Sequence, residues 1–198
     1  MAALTFDDGP DPVWTPRVLD ALAAAGVRAT FFVMARRVLR HTHLVERMVG
    51  EGHEVELHCL DHIRHDRMFR GRLERDTDLA LSMLGELDLR PRRWRPPWGV
   101  TTRSTEQVAR LRGLVLAGWT LDTEDWAGHS AAHMLDRAGP GLRSDPVVLM
   151  HDSCGPGARR DGCTQTVALI EQLAAALAAA GQDVRPLNDR PVAVPWPR

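Results

Sequence analysis

Two adjacent carboxylates, Asp7 and Asp8, stand in "ALTFDDGPDP" (3–12), between a short apolar run and a Gly-Pro turn. Side by side they repel, and each resists burial in its ionised form. Asp, Gly and Pro also build solvated turns, so this stretch alone fits either reading. Residues farther along the chain decide. His58 and His62 in "LHCLDH" are four apart, which puts both imidazoles on one face of a helical turn and lets them meet one ion. Two histidines leave a divalent cation short of ligands, because a catalytic zinc site takes three protein ligands and keeps one position open. One carboxylate of the pair completes a His2Asp set and the other stays free as a general base. A cation thus offsets the repulsion and gives the two carboxylates separate roles.

Other features of the chain are read as structural. A second HxxxH, His129 and His133 in "GHSAAH", lies in a polar helix start and reads as a solvated face. His65 reads as a surface histidine, with a further metal ligand as the alternative. Cys59 stands where the HExxH of a zinc protease needs its glutamate, which excludes that class. All 25 basic residues are Arg, and Tyr is absent. Schiff-base lysines, phosphate-loop lysines and phenolic acids are therefore excluded. The three cysteines lack CxxC spacing, so a cysteine-based zinc site is not expected; Cys154 and Cys163 flank one Gly-rich loop. A net charge of −1 argues against a nucleic-acid partner. No run of about 18 apolar residues exists to span a membrane.

The elements that must position these residues alternate between two periods. Strands are predicted at 2–6, 29–33, 53–57, 92–95, within 114–121, at 147–150 and near 183–187. Helices are predicted at 15–26, 43–52, 72–87, 104–112, 130–138 and 164–180, the first with Thr15 as N-cap, Pro16 at the first position and Gly26 past the end. Such alternation means βα units and a parallel sheet, open or closed as a barrel. Active sites in these architectures form where strands end. Asp7 and Asp8, His58 and His62, Arg95, Asp122 and Asp125, and His151 all fall at such ends.

"TFDDGP" (5–10), "HCLDH" (58–62), "RPPWG" (95–99), "DTEDW" (122–126) and "LMH" (149–151) resemble, in order, the five signature motifs of the polysaccharide deacetylases, the NodB-homology proteins of carbohydrate esterase family four. The resemblance covers about residues 2–187. It implies a distorted (β/α) barrel of seven parallel strands and a single NodB-homology domain over 1–198, with an irregular tail at 188–198. It also implies a metal-dependent hydrolase that removes N- or O-acetyl groups from an amino sugar or polysaccharide. Carried over by motif, Asp7 is the general base, and Asp8, His58 and His62 are the metal ligands. Arg95 orients Asp7, His151 is the general acid, Asp125 sets its orientation and charge, and Trp98 and Trp126 contact the substrate. Zinc is the expected metal, with cobalt and nickel compatible with the same donors.

Three positions depart from the family pattern: Cys59 where Ser or Thr is common, Trp98 where Tyr or Phe is usual, and Ile63 where Pro often stands. The Arg-rich segment "RHDRMFRGRLER" (64–75) reads as a solvated helix face with Glu74 and Asp76 as partners; the alternative is that Arg64, Arg67 or Arg70 grips an anionic substrate. That alternative corresponds to a cytosolic deacetylase of an anionic small-molecule amino sugar, and a second one to a non-catalytic carbohydrate-binding relative. With no signal peptide before the first strand, the expected location is the cytoplasm, or outside the cell for a trimmed mature form.

Overall fold

The computed structural model describes residues 1–189, and the Pro-rich stretch 190–198 predicted to be irregular lies outside the described residues. Seven parallel strands run in the order β5-β4-β3-β2-β1-β7-β6. They are β1 (Ala3–Asp7), β2 (Thr30–Met34), β3 (Glu54–Cys59), β4 (Arg93–Trp94), β5 (Val115–Leu116), β6 (Leu121–Asp122) and β7 (Val147–His151). Helices α1 (Trp14–Ala24), α2 (Ala35–Arg40), α3 (Thr42–Gly50), α4 (Arg70–Gly85), α5 (Arg103–Leu111) and α6 (Ala131–Ala138) lie between them along the chain, and α7 (Thr164–Ala179) follows β7.

The predicted strand within 114–121 is two strands on opposite edges of the sheet. β5 pairs with β4, β6 pairs with β7, and only residues 117–120 lie between them. Laid flat, the outer strands of a seven-stranded sheet stand about 29 Å apart. The chain from Leu116 to Leu121 reaches at most about 18 Å. The sheet therefore has to curl until its edges nearly meet, and this gives the half-closed barrel. The predicted last strand near 183–187 is reduced to one bridge, Ala2 to Val184. The expected total of seven strands thus stands, although two of its members differ. Residues 188 and 189, expected in the tail, belong to a single 3-10 turn, Leu187–Asp189.

Strand alternation sorts side chains to two faces. Leu4, Phe6, Phe31, Val33, Leu57, Trp94, Val148 and Met150 join the helices in the larger apolar core. Residues of the opposite parity face the lumen, where a second, smaller cluster holds Ala3, Phe32, Ala117, Val147 and Leu187. The run "EVELH" shows the device in one line, with Val55 and Leu57 toward the helices and Glu54, Glu56 and His58 toward the lumen. The lumen floor is polar and closed. Glu56 accepts from the backbone N–H of Arg92 (2.8 Å) and Arg93 (2.7 Å) and from Asn188 Nδ2 (2.8 Å). Glu54 accepts from Thr30 Oγ1 at 2.8 Å and from the Asn188 N–H at 3.0 Å. Arg93 donates to Asn188 Oδ1 and to the Leu187 carbonyl.

Helix ends follow local chemistry. Asp11 Oδ1 accepts from the N–H groups of Val13 and Trp14 at the start of α1, both at 2.9 Å. Asp11 thus takes the capping place predicted for Thr15, whose hydroxyl donates instead to Asp152. Ser130 caps α6 through the His133 N–H. Among the described residues, no helix is long and apolar enough to cross a membrane.

Candidate active site

The mouth of the lumen gathers the strand-end residues around one cleft. Asp7 closes β1, and Asp8 follows at φ 76°, a left-handed conformation that Asp tolerates better than most residues. The two neighbouring carboxylates therefore meet different partners. Asp7 Oδ1 accepts from Arg95 Nη1 at 2.8 Å, while Asp8 Oδ1 lies 3.3 Å from His58 Nε2 and 3.2 Å from His62 Nε2.

Arg95 is fully buried. Its guanidinium donates to Thr5 Oγ1 (2.7 Å), Asp7, the Gly118 carbonyl (2.8 Å) and the Ala117 carbonyl (3.3 Å). The Phe32 ring lies 4.1 Å from it and Trp119 5.7 Å. Burial pulls the Arg95 pKa below its ordinary value, and the Asp7 carboxylate pulls in the opposite direction.

Asp8, His58 and His62 each offer one donor atom, and the three atoms lie within 4.8 Å of one another. Asp8 Oδ1, both nitrogens of His58 and His62 Nδ1 are buried without a hydrogen-bond partner among the described residues. Buried polar atoms in folded proteins are almost always satisfied. One carboxylate oxygen and two imidazoles left over around a common point fit a divalent cation. Burial works against the Asp8 charge, yet His58 and His62 beside it hold its carboxyl well below the usual range. The space is also shaped by Gly155, where a Cβ would overlap the Asp8 carboxylate.

His58 and His62 do not meet through helical spacing. His58 lies within β3 rather than after it, and His62 comes after a bend. The strand directs His58 into the lumen, and the bend returns His62 to the same point. His65 is not at the surface: it is buried, with Nδ1 3.0 Å from Thr105 Oγ1 and its ring 5.0 Å from that of Trp94. Burial lowers its pKa to about 4, so it stays neutral. His129 and His133 lie at the solvated start of α6, away from the cleft lining.

Across the cleft, His151 ends β7 beside Asp125. Its Nδ1 is 2.7 Å from Asp125 Oδ1, and its backbone N–H donates to Asp125 Oδ2 at 2.9 Å. Burial opposes both charges, but each offsets the other. His151 rises to about 9 and Asp125 falls to about 2. With Nδ1–H held by Asp125, Nε2 is the nitrogen left for other partners. Asp122 lines the same cleft and accepts the Glu124 N–H at 2.8 Å, and burial raises its pKa. Trp98, at φ 55° and 44 % exposed, sets its ring 4.1 Å from that of His62. Trp126 and Trp119 line the cleft as well, whereas Trp94 is core.

The Arg-rich segment divides between two settings. Arg64 pairs with Asp66 and Arg70 with Glu74, as a solvated face requires. Asp76, expected as an arginine partner, instead accepts the Leu60 N–H, and burial lifts it to about 6. One residue that sequence reasoning missed is Arg160, which donates to Asp125 and to the His151 carbonyl. It sits in the aperiodic loop "GPGARRDG", where no spacing marks it.

Residues 1–117 match the family model described as polysaccharide deacetylase. A chitooligosaccharide deacetylase of Bradyrhizobium sp. (strain ANU 289) is 34% identical over 192 residues, 93% of this chain and 87% of that protein. A peptidoglycan-N-acetylglucosamine deacetylase of Bacillus cereus is 34% identical over 152 residues, covering 76% of this chain and 71% of the relative. Among solved structures, a family 4 carbohydrate esterase from Streptomyces lividans in complex with acetate superimposes with a TM-score of 0.80 at 26% identity, covering 93% of this chain and 90% of that one. A pseudoenzyme of the same family from Bacillus anthracis reaches 0.85 at 22% identity, covering 96% and 64%, so the fold occurs with and without catalysis. By its motifs, its family match and its relatives, this chain belongs to the polysaccharide deacetylase family.

Proposed function

We propose that this chain is a metal-dependent hydrolase that removes the N-acetyl group from N-acetylglucosamine units of an oligosaccharide or polysaccharide. One observation carries the reading. A base held by a buried arginine and an acid held by a buried carboxylate flank a set of unpartnered oxygen and nitrogen donors. The relatives named above, a chitooligosaccharide and a peptidoglycan deacetylase, support the substrate class.

Asp8, His58 and His62 would hold the cation, and zinc suits one carboxylate and two imidazoles, as do cobalt and nickel. When bound, it supplies Lewis-acid chemistry that polarises the acetyl carbonyl and acidifies water. Asp7 takes the proton of the attacking water. Arg95 serves that step by holding Oδ1, so that Oδ2 is the oxygen free to accept. As the C–N bond breaks, His151 Nε2 gives a proton to the departing amine, which is too basic to leave unprotonated. Asp125 keeps that proton in place through the neutral range. Trp98 and Trp126 wall the cleft and bind the acetylated sugar.

The non-catalytic reading is disfavoured because acid, base and all three donors are in place. Acetate release from N-acetylglucosamine oligomers and peptidoglycan by metal-stripped protein, before and after Zn²⁺ or Co²⁺ is restored, tests the proposal. Release that needs metal and vanishes in Asp7→Asn is the expected result. Metal binding with no release from either substrate would overturn it.

A further inference from the structure

Among the described residues, Arg160 is a buried cation at this site to which the mechanism above gives no task. Its side chain is 6% exposed. Nη1 donates to the Asp125 backbone carbonyl at 3.0 Å, to Asp125 Oδ2 at 2.9 Å and to Thr166 Oγ1. Nη2 donates to the carbonyls of His151 at 3.1 Å and Ser153 at 3.3 Å and approaches Cys163 Sγ at 3.2 Å. A single planar fork thus grips the turn after β6, the end of β7 and the first turn of α7.

The hydrogen bonds sort cleanly by oxygen. Asp125 Oδ2 is filled by Arg160, by Thr166 Oγ1 at 2.8 Å and by the His151 N–H. Oδ1 is left to the imidazole. The arrangement is cation, anion, cation: Arg160, Asp125 and protonated His151 in a row. Other charges facing His151 are Asp7 and Asp8 from β1 and the turn after it, and Asp122 from β6; Cys154 and Cys163 flank Arg160. His151 therefore faces several carboxylates, and unmoderated they would hold its proton too firmly for delivery to a leaving amine.

We propose that Arg160 is a positioning residue for the acid: it fills Asp125 Oδ2 so that Oδ1 aims at His151, and it shares the Asp125 charge so that the imidazolium can release its proton. Its consequence for turnover rests on the deacetylase reading. The charge sharing itself does not.

The test compares Arg160→Gln and Arg160→Lys with the parent chain. The His151 imidazole pKa is read by NMR with labelled histidine and assigned with His151→Gln, and kcat and KM are measured on an N-acetylglucosamine oligomer with Zn²⁺ restored. Arg160→Gln is expected to raise the His151 pKa by about one unit and to lower kcat about tenfold, with KM within about twofold. Arg160→Lys keeps the charge and is expected to hold the pKa near the parent value. An unchanged or lower pKa in Arg160→Gln, or an equal shift in both variants, would overturn the proposal, because a merely structural arginine leaves that pKa alone. Should Arg160→Gln fail to fold, the parent protein answers. Its Arg160 Nη resonances are expected to titrate with the His151 midpoint, and a flat response would sink the assignment. A parent enzyme that shows the linked titration but releases no acetate would defeat the deacetylase reading and leave the charge sharing intact.

Discussion

The two ends of the lumen are equally polar and behave in opposite ways. At the floor, Glu54, Glu56, Arg93 and Asn188 satisfy one another and the neighbouring backbone. At the mouth, Asp8, His58 and His62 converge with four buried atoms that have no partner among the described residues. Buried charge alone therefore does not mark an active site in this fold. Several such atoms left over around one point do, because their desolvation is offset only when something else arrives.

The comparison can be broken most directly at Asp7. Asp7→Asn is expected to reduce kcat/KM about 10³-fold, read as acetate release, because a base with no proton affinity to offer remains in place. Asp125→Asn comes next. In the parent chain His151 keeps its proton up to about pH 9, so the alkaline limb of the pH–rate profile is expected near there. The same raised pKa gives stability that is full below about pH 6.5, the ordinary histidine value, and is lost as pH rises through about 9. Removing the Asp125 carboxylate is expected to bring the limb below neutrality, so activity at pH 8 falls while activity at pH 6 is affected least.

Stability sharpens the contrast. Glu56→Ala strands three N–H donors at the floor and is expected to lower stability by about 2–4 kcal/mol in a denaturant titration, with kcat of the folded fraction unchanged. Asp8→Asn, made at the mouth in metal-free protein, is expected to change stability by less than about 1 kcal/mol and to abolish the stabilisation that Zn²⁺ gives the parent. Were Asp8→Asn as destabilising as Glu56→Ala, the distinction between the two ends would fail. The smallest effect is expected at Arg67→Ala, with kcat/KM within about twofold on neutral and on anionic acetylated sugars alike. A selective loss on the anionic ones would instead show that the Arg-rich segment reads substrate.

Much of this was legible in the chain because period-2 alternation and strand-end polarity are local signals. "EVELH" shows its two faces without any structure, and the motif residues fall just inside the end of a strand or within four residues after it. What stayed illegible depends on curvature and return. The stretch 114–121 reads as one strand, since nothing local says that its halves serve opposite edges of a curled sheet. His58 and His62 share a helical spacing that the chain does not use. His65 is polar in type, but Trp94 and Thr105, both distant in sequence, bury it. Arg160 reaches Asp125 through a loop without period, and only its contacts reveal it.

The four residues that join β5 to β6 form the seam of the barrel, and Arg95 stitches it by donating to the carbonyls of Ala117 and Gly118 with the same guanidinium that holds Asp7. Under the proposed mechanism, closing the barrel and orienting the base thus share one cation: Nε and Nη2 hold the seam while Nη1 holds Asp7 and Thr5. A fluctuation that parts the seam removes two of the anchors that fix the guanidinium against that carboxylate. Amide exchange along 117–120 then reports how often those anchors of Arg95 are released.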